Sequence, residues 1–127
     1  MQLALLREAF NIINEGIADA ETVDTVVRYS LGRRWNLVGP VASADLGGLD
    51  TFYNISTYLF KDMDNGTEPS PLLAWKVQDG NLGTKTGRGF YEWQGEDGQR
   101  IIRERDEQLM QQLAADAAVE DADCKSE

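Results

Sequence analysis

Apolar residues return every three or four positions along this chain and almost nowhere every two. Leu3, Leu6, Phe10 and Ile13 open the pattern, with Arg7, Glu8, Asn11 and Asn14 between them. A period near 3.6 places those apolar residues on one side of an α-helix. The nearest approach to strand alternation is "GFYEW", residues 89–93, which is too short to found a sheet. The fold expected is all-α, a bundle of about five helices.

Punctuation divides the pattern. A first helix is expected over residues 2–15, ended by Gly16. It starts behind Met1 with no capping residue, as a helix cut from a longer one would. A second follows the good N-cap Asp19, carries Val23, Val26, Val27 and Leu31 on its buried face, and stops at Gly32. "RRWNLVGP", residues 33–40, reads as a connector. Pro40 suits the first turn of a third helix, where its missing N–H is not needed. That helix is expected to run towards Asn65, with a kink or close backbone contact at Gly47-Gly48. Ser70 and Pro71 begin a short fourth helix reaching Asp79. "GEDGQ", residues 95–99, reads as a turn. A last helix is expected from Arg100 to Ala118, with Ile101, Ile102, Leu109, Met110 and Leu113 on its apolar side. "VEDADCKSE" reads as a disordered acidic end holding the lone Cys124. The expected division is a helical domain over residues 1–98 and an extra helix with its tail over 99–127.

Charge narrows the function. The net charge of −10 argues against nucleic acid or an anionic membrane as partner, since both need a cationic face. No window approaches the ~20 apolar residues of a membrane span. The start lacks the basic region and cleavage site of a signal peptide, so a cytoplasmic protein is expected. There is no histidine, which removes the commonest general base and the commonest metal ligand. No paired-carboxylate motif stands out, and one cysteine makes neither a disulfide nor a multi-cysteine metal site. No catalytic, cofactor-binding or metal-binding residue is expected on this chain.

Three groups of residues invite a functional reading. In "NLGTKTGRGFYEW", residues 81–93, Lys85 and Arg88 could meet a phosphate or an acidic domain edge, because glycine-rich backbone can cradle anions. The expected reading is nonetheless structural: glycine turns feeding Phe90, Tyr91 and Trp93 into a core. Arg33 and Arg34 are expected to form an ion pair with Asp45 or Asp50; a substrate or domain contact is the alternative. Leu49, Phe52, Tyr53, Leu59 and Phe60 make a stripe that serves either as core or as the seam of a symmetric dimer, with Trp35, Trp75 and Trp93 available to fill a core.

The stretches "LALLREAFNIINEGIADAETVD", "LGRRWNLVGPVASADLGGLD" and "GNLGTKTGRGFYEW" together resemble the C-terminal helical domain of 3-hydroxyacyl-CoA dehydrogenases. The most specific strings are Gly39-Pro40, Asp45-Leu46 and Gly48-Leu49-Asp50, followed by Lys85-Thr86-Gly87-x-Gly89-Phe90-Tyr91. The resemblance covers residues 2–93 and implies a bundle like that of the 6-phosphogluconate dehydrogenase C-terminal domain. It implies an NAD-dependent oxidation of an L-3-hydroxyacyl-CoA in fatty-acid metabolism. In that family a Rossmann domain binds NAD, a His–Glu pair on it takes the hydroxyl proton, and the helical domain closes the cleft and forms a dimer. This chain has no G-x-G-x-x-G after a strand and no histidine, and the family's Asn-Arg step would fall before Gln2. It is therefore read as the substrate-side and dimerisation half, inactive alone and expected to hold no NAD by itself. Its implied partners are a second copy, a Rossmann domain in cis or trans, and an acyl-CoA. The alternatives are a freestanding non-catalytic dimerisation module, or the same domain from a gulonate- or carnitine-type dehydrogenase.

Overall fold

A computed structural model of the protein describes residues 1–124. Those residues form α1 (Gln2–Asn14), α2 (Ala20–Tyr29), α3 (Leu31–Gly47), α4 (Leu49–Leu59), α5 (Pro71–Gln78) and α6 (Glu96–Cys124). Among the described residues there is no β-strand, only isolated bridges from Gly83 to Arg88 and from Arg88 to Glu92. The all-α expectation holds. The chain divides into two compact units, Met1–Trp75 and Lys76–Glu127.

In the first unit, the Met1 carbonyl accepts from the Ala4 and Leu5 amides and no side chain caps α1. The Asp19 side chain accepts a 2.8 Å hydrogen bond from the Thr22 amide and caps α2 as expected. The caps satisfy amides that have no partner within a helix.

Between α2 and α4 the sequence reading needs correction. α2 ends at Tyr29, not Gly32. Gly32 lies in the first turn of α3, where a Cβ would come within 2.9 Å of the Val27 carbonyl oxygen. Its lack of a side chain lets the two helices turn tightly into one another. The supposed connector 33–40 is helical as well, broken only at Gly39, whose φ of 70° is left-handed. Pro40 then opens the second stretch of α3, as its position suggested. Gly48, with φ of 91°, separates α3 from α4, so the expected long third helix is two helices. α4 stops at Leu59, short of Asn65. The segment after it is held by side chains instead of helix: Asp64 accepts from the Gly66 amide at 2.7 Å, Glu8 accepts from the Asp64 amide at 2.9 Å, and Arg7 donates to the Gly66 carbonyl at 3.1 Å. These polar ties pin residues 64–66 back on α1.

α5 begins at Pro71 and ends one residue short of the expected Asp79. α6 starts earlier and ends later than expected. The letters read as a turn are its first residues, with Glu96 and Asp97 placed where the helix dipole favours acids. Arg100 pairs with Asp97 at 3.0 Å and reaches Glu104 at 3.8 Å. The helix passes Ala118 and runs to Cys124, through most of the stretch read as disordered; residues 125–127 of that stretch lie outside the described residues.

Within the first unit α1 packs on α2, α2 on α3, and α3 on α4. Each helix is thus covered by its sequence neighbours. The consequence is severe: among the described residues no apolar side chain is fully buried. Trp35 and Trp75, expected to fill a core, are 39% and 55% exposed.

Candidate functional site

The glycine-rich loop is closed by its own groups. The Gly83 amide donates to the Arg88 carbonyl at 2.8 Å, the Gly89 amide to Tyr91 at 2.9 Å, and the Trp93 amide to Gly87 at 2.8 Å. The Thr86 hydroxyl accepts from the Leu82 amide at 2.9 Å. Lys76 Nζ donates to the Gly89 carbonyl at 2.9 Å and lies 5.1 Å from the Phe90 ring centre. Tyr91 and Trp93 meet edge to face at 6.1 Å. An anion nest needs amides that point outward unspent. Here Gly83, Gly89 and Trp93 spend theirs inside the loop, so these three amides are not open to a phosphate. Of the loop's candidate cations, Arg88 is turned onto Glu92 at 2.9 Å. Lys85 is exposed at the tip. Lys76, which the sequence reading passed over, anchors the loop from thirteen residues away; periodicity carries no signal for such a contact.

Arg33 and Arg34 stand in the first turn of α3, not behind the end of a helix. The favourable C-terminal position on α2 belongs to Arg28. Arg33 lies 4.8 Å above the Tyr29 ring centre and Arg28 lies 5.5 Å from it. The expected ion pair with Asp45 or Asp50 does not form among the described residues. The structure therefore gathers two guanidiniums, those of Arg28 and Arg33, about one exposed tyrosine. Arg28 and Tyr29 were missed, although the spacing "RYSLGRR" placed four of the seven letters in view.

On α4, Leu49, Phe52, Tyr53, Leu59 and Phe60 fall within roughly 120° of arc at 3.6 residues per turn. All five are exposed, from 43% at Leu59 to 70% at Tyr53. The stripe is thus a free apolar face in this chain and not its core. No group of three or more Asp, Glu or Cys suited to a metal ion occurs among the described residues. None of the described helices is long and apolar enough to cross a membrane.

The family described as 3-hydroxyacyl-CoA dehydrogenase, C-terminal domain, matches residues 1–93. One similar protein is the 5-formyl-3-hydroxy-2-methylpyridine 4-carboxylate 5-dehydrogenase of Mesorhizobium japonicum, 32% identical over 107 residues, or 84% of this chain and 35% of that protein. Another is a probable 3-hydroxybutyryl-CoA dehydrogenase of Bacillus subtilis, 38% identical over 93 residues, or 72% of this chain and 31% of that protein. A crystal structure of a 5-formyl-3-hydroxy-2-methylpyridine 4-carboxylic acid 5-dehydrogenase, an NAD+-dependent dismutase, superposes with a TM-score of 0.81 at 31% identity, covering 85% of this chain and 35% of that one. The chain spans about a third of the length of the relatives it matches.

Proposed function

We propose, because this chain belongs to the 3-hydroxyacyl-CoA dehydrogenase C-terminal domain family, that it is the substrate-side and dimerisation half of a cytoplasmic NAD-dependent L-3-hydroxyacyl-CoA dehydrogenase of fatty-acid metabolism. NAD binding and the redox step then belong to a Rossmann domain supplied in cis or in trans. The observation that carries this reading is the ordered match over residues 1–93, with both specific strings inside it. The exposed α4 face formed by Leu49, Phe52, Tyr53, Leu59 and Phe60 serves a homodimer, in which like residues meet across a two-fold axis. Arg33, Arg34, Lys85 and Arg88 contact the substrate or the cofactor domain.

The test mixes the purified chain with a separately produced Rossmann half, such as that of the Bacillus subtilis relative, and follows NADH formed from L-3-hydroxybutyryl-CoA. The expected result is turnover above that of the Rossmann half alone. No gain would count against the assignment. A second reading is a dehydrogenase of a small non-CoA alcohol, the class that includes gulonate- and carnitine-type enzymes. It draws support from the pyridine carboxylate dehydrogenase, whose similarity runs over 107 residues, beyond the 93 of the family match. Turnover of a small hydroxy acid, with none of the acyl-CoA, would select it.

A further inference from the structure

We propose that Asn65 is a self-modification site: the Gly66 backbone nitrogen attacks its side-chain amide, which becomes aspartate or isoaspartate, and polar ties to α1 set the rate. Of the chain's six asparagines only Asn65 precedes glycine; the others precede Ile, Glu or Leu. Glycine has no Cβ to crowd the approach of its nitrogen to the preceding side chain, and it reaches backbone conformations closed to other residues. Asn11, Asn14, Asn36 and Asn54 lie in helices, where the backbone is fixed. Asn65 lies beyond the end of α4, outside any helix, and is exposed. Its neighbours are tied down. The Gly66 amide donates to Asp64 Oδ1 at 2.7 Å, the Asp64 amide to Glu8 Oε2 at 2.9 Å, and Arg7 to the Gly66 carbonyl at 3.1 Å. While these bonds hold, the Gly66 nitrogen keeps its proton against a carboxylate, and the step from Asn65 to Gly66 is held on both sides. The reaction therefore runs through local opening of this segment.

The chemistry needs water and nothing else. The Gly66 nitrogen bonds to the side-chain carbonyl carbon of Asn65, and the bond from that carbon to the amide nitrogen breaks. Ammonia leaves, carrying the proton that Gly66 gave up, and a five-membered succinimide remains. Water then adds to either ring carbonyl and opens the ring, giving aspartate or, with the main chain routed through the β-carbon, isoaspartate. An open cleft of about 360 Å³, lined by Asn11, Asn14, Asp64, Gly66 and Thr67 among others, brings water to the segment. Isoaspartate adds one carbon to the backbone between residues 65 and 66, so the ring that Asp64 closes on the Gly66 amide loses its geometry. Either product adds a negative charge next to Asp64, whose amide is held by Glu8. Both changes oppose the ties, and a reacted chain holds residues 64–66 more loosely on α1. The inference concerns the first unit alone and does not rest on the dehydrogenase reading.

The experiment incubates the full 127-residue chain at mildly alkaline pH and follows Asn65 by peptide mass spectrometry, with enzymatic methylation to count isoaspartate. A synthetic peptide of residues 62–68 is the untied reference. Conversion is expected at Asn65 ahead of every other asparagine, roughly tenfold slower than in the peptide. Glu8→Ala lies outside the peptide and leaves its intrinsic chemistry alone; loss of that one hydrogen bond should speed conversion about fivefold. Glu21→Ala on α2 should leave the rate unchanged. Circular dichroism reports whether each variant keeps its helices; if Glu8→Ala does not, Arg7→Met, which removes the tie to the Gly66 carbonyl, takes its place with the same expectation. In converted chains the Gly66 amide should exchange its hydrogen faster than in unconverted ones. An Asn65 still intact when the peptide has fully converted would overturn the site. Conversion as fast as in the peptide, or a folded Glu8 or Arg7 variant no faster than the parent chain, would overturn the role of the ties.

Discussion

Replacing Lys76 with methionine isolates what holds the glycine-rich loop. Met keeps an unbranched apolar stem beside Phe90 and removes the charge. The lost interactions are the 2.9 Å hydrogen bond to the carbonyl of buried Gly89 and the stacking of Nζ over Phe90 at 5.1 Å. A hydrogen bond from a charged donor contributes ~1.5–3 kcal/mol. A cation over an aromatic face adds ~0.5–1 kcal/mol. The thioether sulfur beside the ring returns ~0.3–1.5 kcal/mol. The net loss is about 2 kcal/mol, which at 1.36 kcal/mol per tenfold is roughly a thirtyfold increase in the open fraction of the loop. Hydrogen exchange at the Gly83, Gly89 and Trp93 amides reads that fraction directly, because all three donate inside the loop. Lys85→Met, at the exposed tip, supplies the control. Unchanged exchange in Lys76→Met would refute the anchoring role. An equal acceleration in Lys85→Met would refute it too, by showing that net charge alone governs the loop.

Gly98→Ala offers a test of sign: helix propensity favours alanine by about 1 kcal/mol, yet its Cβ would lie 2.4 Å from the Trp93 carbonyl oxygen. The backbone clash should win, lowering helicity by circular dichroism, and a gain in helicity would show that α6 does not start against Trp93. The Thr22 hydroxyl, and after it the Thr22 amide, holds the Asp19 carboxylate below its usual pKa. The capped start of α2 should therefore keep its full stability above the ordinary carboxylate range and lose it as pH falls through the lowered folded value. The Thr22 amide resonance, titrated by NMR, should report a midpoint below that of an uncapped exposed aspartate. Phe52→Asp with Phe60→Asp should convert the proposed dimer to monomer at tens of micromolar in sedimentation; a persistent dimer would move the seam off α4.

How far the fold could be read from the letters varied with the kind of signal. α1 was legible from its 3.6 period alone, and the starts of α2 and α5 from their start signals, Asp19 before α2 and Pro71 at α5. Residues 31–47 were misread because Gly32 was taken as the stop of α2 and residues 33–40 as a connector. Gly32 is instead a point of close approach to Val27 O, and Pro40 restarts a helix that Gly39 has broken. The start of α6 was misread for the same reason: "GEDG" spells a turn, but its two acids suit a helix N-terminus and Gly98 tolerates the nearness of Trp93 O. Of the candidate cations, Arg88 meets Glu92 because an isolated bridge sets the two residues opposite each other, a contact the helical period does not announce. The gathering of Arg28 and Arg33 around Tyr29 depends on the turn between α2 and α3, which the sequence reading had placed elsewhere.

Periodicity says which side of a helix is apolar; it does not say what lies against that side. The stripe from Leu49 to Phe60 has the same letters whether it lines a core or a seam, and the exposure of its five members says only that it is not the core of this chain. A domain of this size, roughly 130 residues, ordinarily hides about two thirds of the surface its unfolded chain exposes. Here each helix of the first unit meets its sequence neighbours, and no apolar side chain among the described residues is fully covered. Free apolar surface contributes roughly 25 cal/mol per Å² once it leaves water, and that is the gain on which the proposed α4 dimer would draw.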